Sequence, residues 1–182
     1  MKLGNYKAIY ELAEEKTYEK YRIGFSDIAN AAKEYSKESF RGCVSVACEE
    51  SLQGYAHISP EGFIYAFKML IYSLFGSGSI GVSFFEASRA LVCEFAWEFD
   101  TVPPVAEISN VAKASGFSVE PGSDGGVRKL RFVIKAISSQ SFRIYAFSKK
   151  NLLSLFYSTD LLEYNAKLQN ALGDAEQKTA ER

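Results

Sequence analysis

Residues 59–75 read SPEGFIYAFKMLIYSLF. Ser59 supplies an oxygen for the free amide groups of a helix start, Pro60 suits the first helical position, and Glu61 complements the positive end of the helix dipole. Phe63, Phe67, Leu70, Ile71 and Leu74 fall on one side of that helix, with Tyr65, Lys68 and Tyr72 elsewhere. So few polar positions predict a largely buried helix. Gly76-Ser77-Gly78 ends it. Two β-prone runs follow, residues 79–86 and 90–100, and the short connection Ala87-Ser88-Arg89 predicts an antiparallel hairpin.

Upstream, the first 22 residues are rich in Glu, Lys and Tyr and predict a helical lead-in. Phe25, Ile28, Ala29, Ala32 and Tyr35 recur at helical spacing, and residues 43–48 (CVSVAC) predict a short strand. Downstream, Thr101-Val102-Pro103-Pro104 breaks the hairpin strand. A helix over Val105–Ser115 then closes at Gly116. Strands are expected at 117–119, 127–137 and 141–147, with a turn at 121–126 (PGSDGG) between the first two. Apolar segments follow at 152–157 and 161–168, and the stretch from Gly173 is expected to fray. The expected organisation is a lead-in at 1–22, one domain at 23–172 and a tail at 173–182. The fold class is α+β, a two-layer sandwich with helices on one face of a mainly antiparallel, mixed sheet.

Composition narrows the functional classes. The 182 residues are 47% apolar, with 14 Phe, 11 Tyr and one Trp, which is enough large side-chain material for a core and too much for a disordered chain. Twenty-one Lys+Arg against 22 Asp+Glu leave a net charge of −1 and no basic stripe, so no nucleic-acid partner is expected. No apolar run approaches the roughly 20 residues that span a bilayer, and residues 1–15 carry no secretion signal. No membrane segment and a cytoplasmic location are therefore expected.

Candidate motifs are few. Gly76, Gly78 and Gly81 spell G-x-G-x-x-G, but they leave a helix and enter a strand. The dinucleotide fingerprint works in the opposite order, with a strand delivering phosphate to a helix amino terminus, so these glycines are assigned to a turn. Glu94, Glu98 and Asp100 sit at even spacing, where carboxylates share a strand face and could hold Mg²⁺; a solvated face opposite Phe95, Trp97 and Phe99 accounts for the same pattern. One histidine, His57, and three cysteines in apolar runs offer no triad and no metal cluster. Tyr6, Tyr10, Tyr18 and Tyr21 mark a candidate contact surface.

From Phe25 to about Ile137 the order and spacing of these elements resemble the ATP-binding domain of sensor histidine kinases, the Bergerat fold shared with gyrase and MutL ATPases. The carriers of the resemblance are FSDIANAAKEYS, CVSVACEE, the helix at 59–75, the hairpin, AEISNVAKASG and FSVEPGSDGGVRKLRFVIK. In that family the long helix bears asparagines that help hold Mg²⁺ and phosphate, in a motif N-L-L-x-N-A. Here KMLIYS stands in its place, so the resemblance puts Lys68 and Tyr72 at the asparagine positions. The family's Asp-x-Gly-x-Gly, whose Asp recognises adenine, corresponds to Asp100-Thr101-Val102-Pro103-Pro104, which keeps the Asp and replaces both glycines. The glycine-rich lid is absent, and two prolines supply neither the amide groups nor the torsions of a phosphate cradle.

The resemblance therefore implies a degenerate kinase-type ATPase domain, an interaction or regulatory module of bacterial signalling with a protein partner or a second copy as its target and no cofactor. The alternative is a diverged but functional ATP·Mg²⁺-binding domain, in which Asp100 takes the base, Lys68 the phosphate charge and Glu94 or Glu98 the metal, with Asp100, Lys68 and Tyr72 as the cofactor-binding positions. A small-ligand-binding or structural domain is the third reading.

Overall fold

The Ser59 hydroxyl accepts a hydrogen bond from the Gly62 amide at 3.1 Å, and this cap starts the helix around which the protein is built. A computed structural model describes residues 6–14, 16, 18–76, 78–98, 100–124, 127–138 and 146–182. In chain order these form α1 (Tyr6–Glu14), β1 (Tyr21–Gly24), α2 (Phe25–Ser39), β2 (Val44–Cys48), β3 (Tyr55–Ile58), α3 (Pro60–Ser73), β4 (Ile80–Ala87) and β5 (Ala90–Trp97). They continue with α4 (Val105–Ser115), β6 (Ser118–Asp124), β7 (Val127–Lys135), β8 (Ala146–Phe147) and α5 (Lys149–Ala180).

Five strands make the main sheet in the order β2-β4-β5-β7-β6, parallel between β2 and β4 and antiparallel elsewhere. Register aligns Val82 with Phe95 and Leu130, and Phe84 with Cys93 and Phe132. Because side chains alternate along a strand, these buried residues share one face, and Ser83, Glu94 and Arg131 share the other. Helix α3 lies on the buried face, where Phe67 meets Phe95 at 5.5 Å between ring centroids and Phe63 meets Phe132 at 6.3 Å. Its remaining sides are covered as well. A Cβ at Gly62 would stand 2.6 Å from the Ser115 Cβ, so only glycine lets α3 and α4 approach this closely. Phe156 of α5 packs edge-on against Phe67 at 5.9 Å.

The architecture is the expected α/β sandwich, and several details differ from the sequence reading. The lead-in is helical over Tyr6–Glu14 and then yields to β1, while residues 1–5 lie outside the described residues. β1 and β3 were not anticipated; with β8 they form a second sheet of order β3-β1-β8. β5 ends at Trp97, short of residue 100. Of the strand expected at 141–147, residues 141–145 lie outside the described residues, as do 125 and 126 of the PGSDGG turn. The apolar segments after residue 152 and the stretch after Gly173 are one helix, α5, which runs through Ala180 where fraying was expected. Gly76 and Gly78 take left-handed torsions, φ 91° and 80°, in the turn between α3 and β4. Tyr6, Tyr10, Tyr18 and Tyr21, read as a contact surface, are partly buried and pack on the protein's own core.

Candidate functional site

Among the described residues Lys68 is the one buried lysine, with no exposed surface. It sits two turns into α3 and faces α2 and α5 rather than the sheet. Its ammonium donates to the Phe156 carbonyl at 2.9 Å, to the Thr159 hydroxyl and to the Asp160 carboxylate. A lysine has three donors, so all of them are used. Thr159 in turn donates to the Phe156 carbonyl at 2.8 Å, and the Tyr35 hydroxyl of α2 donates to Asp160 at 2.7 Å. The ammonium also lies 5.1 Å from the centre of the Tyr35 ring, and that ring stacks on Phe156 at 4.7 Å.

One turn further along α3, the Tyr72 hydroxyl donates to Glu163 at 3.1 Å. Lys167 pairs with the same carboxylate at 3.0 Å. Burial lowers the Lys68 pKa, with Asp160 and then Glu163 acting in the opposite direction. Burial, reinforced by the surrounding carboxylates, raises those of Tyr35 and Tyr72. The phenols are held as neutral donors, and Asp160 is the ion-pair partner of Lys68.

The structure brings Lys68 and Tyr72 together and places Asp100 elsewhere. The Asp100 side chain is 99% exposed and pairs with Arg128 at 2.7 Å. Glu94 lies on the sheet face turned away from α3, between Arg131 at 2.6 Å and Lys129 at 3.4 Å. Glu98 is exposed beyond the end of β5, so the three carboxylates do not converge on one strand face. Among the described residues no group of three His, Cys, Asp or Glu side chains could hold a metal ion. His57 is a half-buried residue of β3 opposite Arg22, and all three cysteines are free.

Tyr35, Thr159, Asp160 and Glu163 were not singled out in the sequence. The available signal was a lysine inside an otherwise apolar helix, which demands a buried acceptor. With 22 acidic residues in the chain, nothing in the sequence named the acceptor as one 92 residues away.

No protein-family model matches the chain, and no curated protein matches it in sequence. Solved structures do match. The ATP-binding domain of PrrB from Mycobacterium tuberculosis is 16% identical, superposes with a TM-score of 0.52, and covers 66% of this chain and 99% of its own. The histidine kinase domain of the E. coli osmosensor EnvZ is 10% identical with a TM-score of 0.52, covering 69% of this chain and 93% of its own. The fold is that of a histidine-kinase ATP-binding domain.

Proposed function

We propose that this chain, built on the fold of histidine-kinase ATP-binding domains, is a degenerate member that acts in the cytoplasm as an interaction or regulatory module of bacterial signal transduction. The observation that carries this reading is the occupancy of Lys68 and Tyr72 by α5. At the two positions where the resemblance places metal- and phosphate-holding asparagines stand an ammonium with every donor used and a phenol bonded to Glu163. A phosphate reaching Lys68 would have to displace Asp160 and enter a region that already holds two carboxylates. Mg²⁺·ATP does not fit these side chains as they are placed.

Phosphoryl transfer depends on positioning and charge neutralisation, so a domain lacking the metal ligands and the lid retains little with which to accelerate it. Val102 and Pro104 in place of the two glycines after Asp100 support the same reading. Among the described residues no helix is long and apolar enough to cross a membrane.

Calorimetric and thermal-shift titrations with ATP and ADP, each with and without Mg²⁺, test the proposal. The expected outcome is no heat and no change in melting temperature up to millimolar nucleotide. Micromolar binding, equivalent to roughly 8 kcal/mol, would overturn it in favour of a functional nucleotide site.

A further inference from the structure

Helix α5 carries two stripes of residues on nearly opposite sides. One consists of Leu152, Phe156, Thr159 and Glu163, with Ala166 half-buried after them, and it faces the body of the protein. The other begins at Tyr157 and continues through Leu161, Tyr164, Leu168, Ala171 and Ala175, all of them exposed. Leu161 is 66% exposed, Tyr164 60% and Leu168 44%, and Leu172 extends the stripe on one flank. Leucine and tyrosine at this exposure, recurring along one side of one helix, make a surface that a partner would cover. Steps of four and three residues alternate along the whole stripe, which is the spacing by which one helix packs lengthwise on another. Beyond Ala166 every residue of α5 is exposed, so this part of the helix stands clear of the body.

We propose that the exposed stripe of α5 pairs antiparallel with the same stripe of a second copy of this chain. Two features select that occupant. The first is size: with Leu168 opposite Ala171 of the other copy, Tyr164 falls opposite Ala175, so large side chains of one helix meet small ones of the other on both sides of the two-fold axis. The second is charge. The same register sets Lys167 beside Asp174 of the other copy, twice per pair by symmetry. Parallel pairing would set Lys167 beside Leu172 and Asp174 beside Thr179, with no ion pair. The inference deepens the interaction-module reading and rests on it for its purpose, by naming the surface and the partner.

Sedimentation equilibrium of the full chain from about 1 to 100 μM tests it. The expected result is a concentration-dependent dimer. Leu161→Glu/Leu168→Glu should be monomeric throughout while keeping the circular dichroism and melting temperature of the dilute wild type, because both residues are exposed in the monomer. Asp174→Lys should raise the dimer dissociation constant several-fold, and Asp174→Asn should raise it less. A chain that stays monomeric, an assembly larger than two, or a dimer indifferent to Leu161→Glu/Leu168→Glu or to Asp174→Lys would overturn the proposal. Nucleotide binding would overturn the degenerate reading and leave this result standing, and a monomeric chain would do the reverse.

Discussion

Lys68 and Asp160 form an ion pair whose two ends differ in their access to water: the ammonium has none, while the Asp160 side chain is 36% exposed. Removing either partner therefore has unequal consequences. Asp160→Ala leaves a buried ammonium with one carbonyl and one hydroxyl, and is expected to cost about 3–5 kcal/mol. Lys68→Met fills similar space without charge and leaves a carboxylate that can hydrate and still accept from Tyr35, at an expected cost of about 1 kcal/mol. Urea denaturation of both variants measures the difference, and the opposite ranking would mean that Lys68 is not enclosed as described. The tyrosines set the alkaline limit. Burial pushes Tyr18 up to about 12, and raises Tyr35, Tyr65 and Tyr72 in the same direction. A phenol whose folded pKa exceeds its unfolded value of 10.0 contributes stability that is complete below pH 10 and is lost as pH rises through the folded value. Lys68, lowered from 10.5, works in the opposite sense as pH rises towards that value, and it is present in both wild type and Tyr35→Phe. The melting-temperature gap between wild type and Tyr35→Phe should therefore narrow as pH climbs from 10 to 12. A constant gap would mean that Tyr35 ionises as freely in the folded chain as in the unfolded one.

The β4–β5 hairpin turns through Ser88 and Arg89, with φ at 51° and 60°. Positive φ at both central residues defines a tight turn whose twist suits the flanking strands, and its favoured sequence is Asn-Gly. Ser and Arg carry a Cβ into that region at a cost of roughly 1–2 kcal/mol each. Ser88→Asn/Arg89→Gly should thus raise unfolding free energy by about 1–2 kcal/mol, read as a higher urea midpoint with an unchanged slope. No gain would mean that the turn is held by contacts that replace the local preference. The hairpin was legible in the sequence because two apolar runs flank a short connection, but Ser-Arg did not disclose the turn type. α3 and α4 were legible for similar reasons: Ser59-Pro60 at one start and Gly116 at one end are strong local signals. β1 and β3 were not, since YRIG and YAHI are four residues each with no clean alternation. α5 was read as separate apolar segments because its inward face passes from Leu152 and Phe156 to Thr159 and Glu163 while Leu161, Tyr164 and Leu168 face outward, so no single amphipathic face runs its length.

Across the whole molecule, the order of elements from Phe25 to Ile137 was enough to anticipate the sandwich, while α5 lies past the end of that resemblance and its docking had no counterpart to be read from. Yet α5 is integral to the core rather than appended to it. Leu152 and Phe156 are fully buried, and Phe156 joins Phe67 of α3 to Tyr35 of α2. The same helix supplies every hydrogen-bond acceptor that Lys68 uses. The two halves of α5 should then separate on truncation. A chain ending at Lys167 keeps the whole inward stripe and the Glu163–Lys167 pair and loses only exposed residues, so its melting temperature should lie within about 2–4 °C of that of the dilute wild type. A chain ending at Ser148 opens Lys68 to water and exposes the apolar surface of α2 and α3 that Leu152 and Phe156 cover; it should lose its cooperative transition in calorimetry and aggregate. If that shorter chain melted cooperatively near the wild-type temperature, α5 would be a detachable cover over a self-sufficient domain, and the enclosure of Lys68 and Tyr72 would be a reversible state rather than part of the fold.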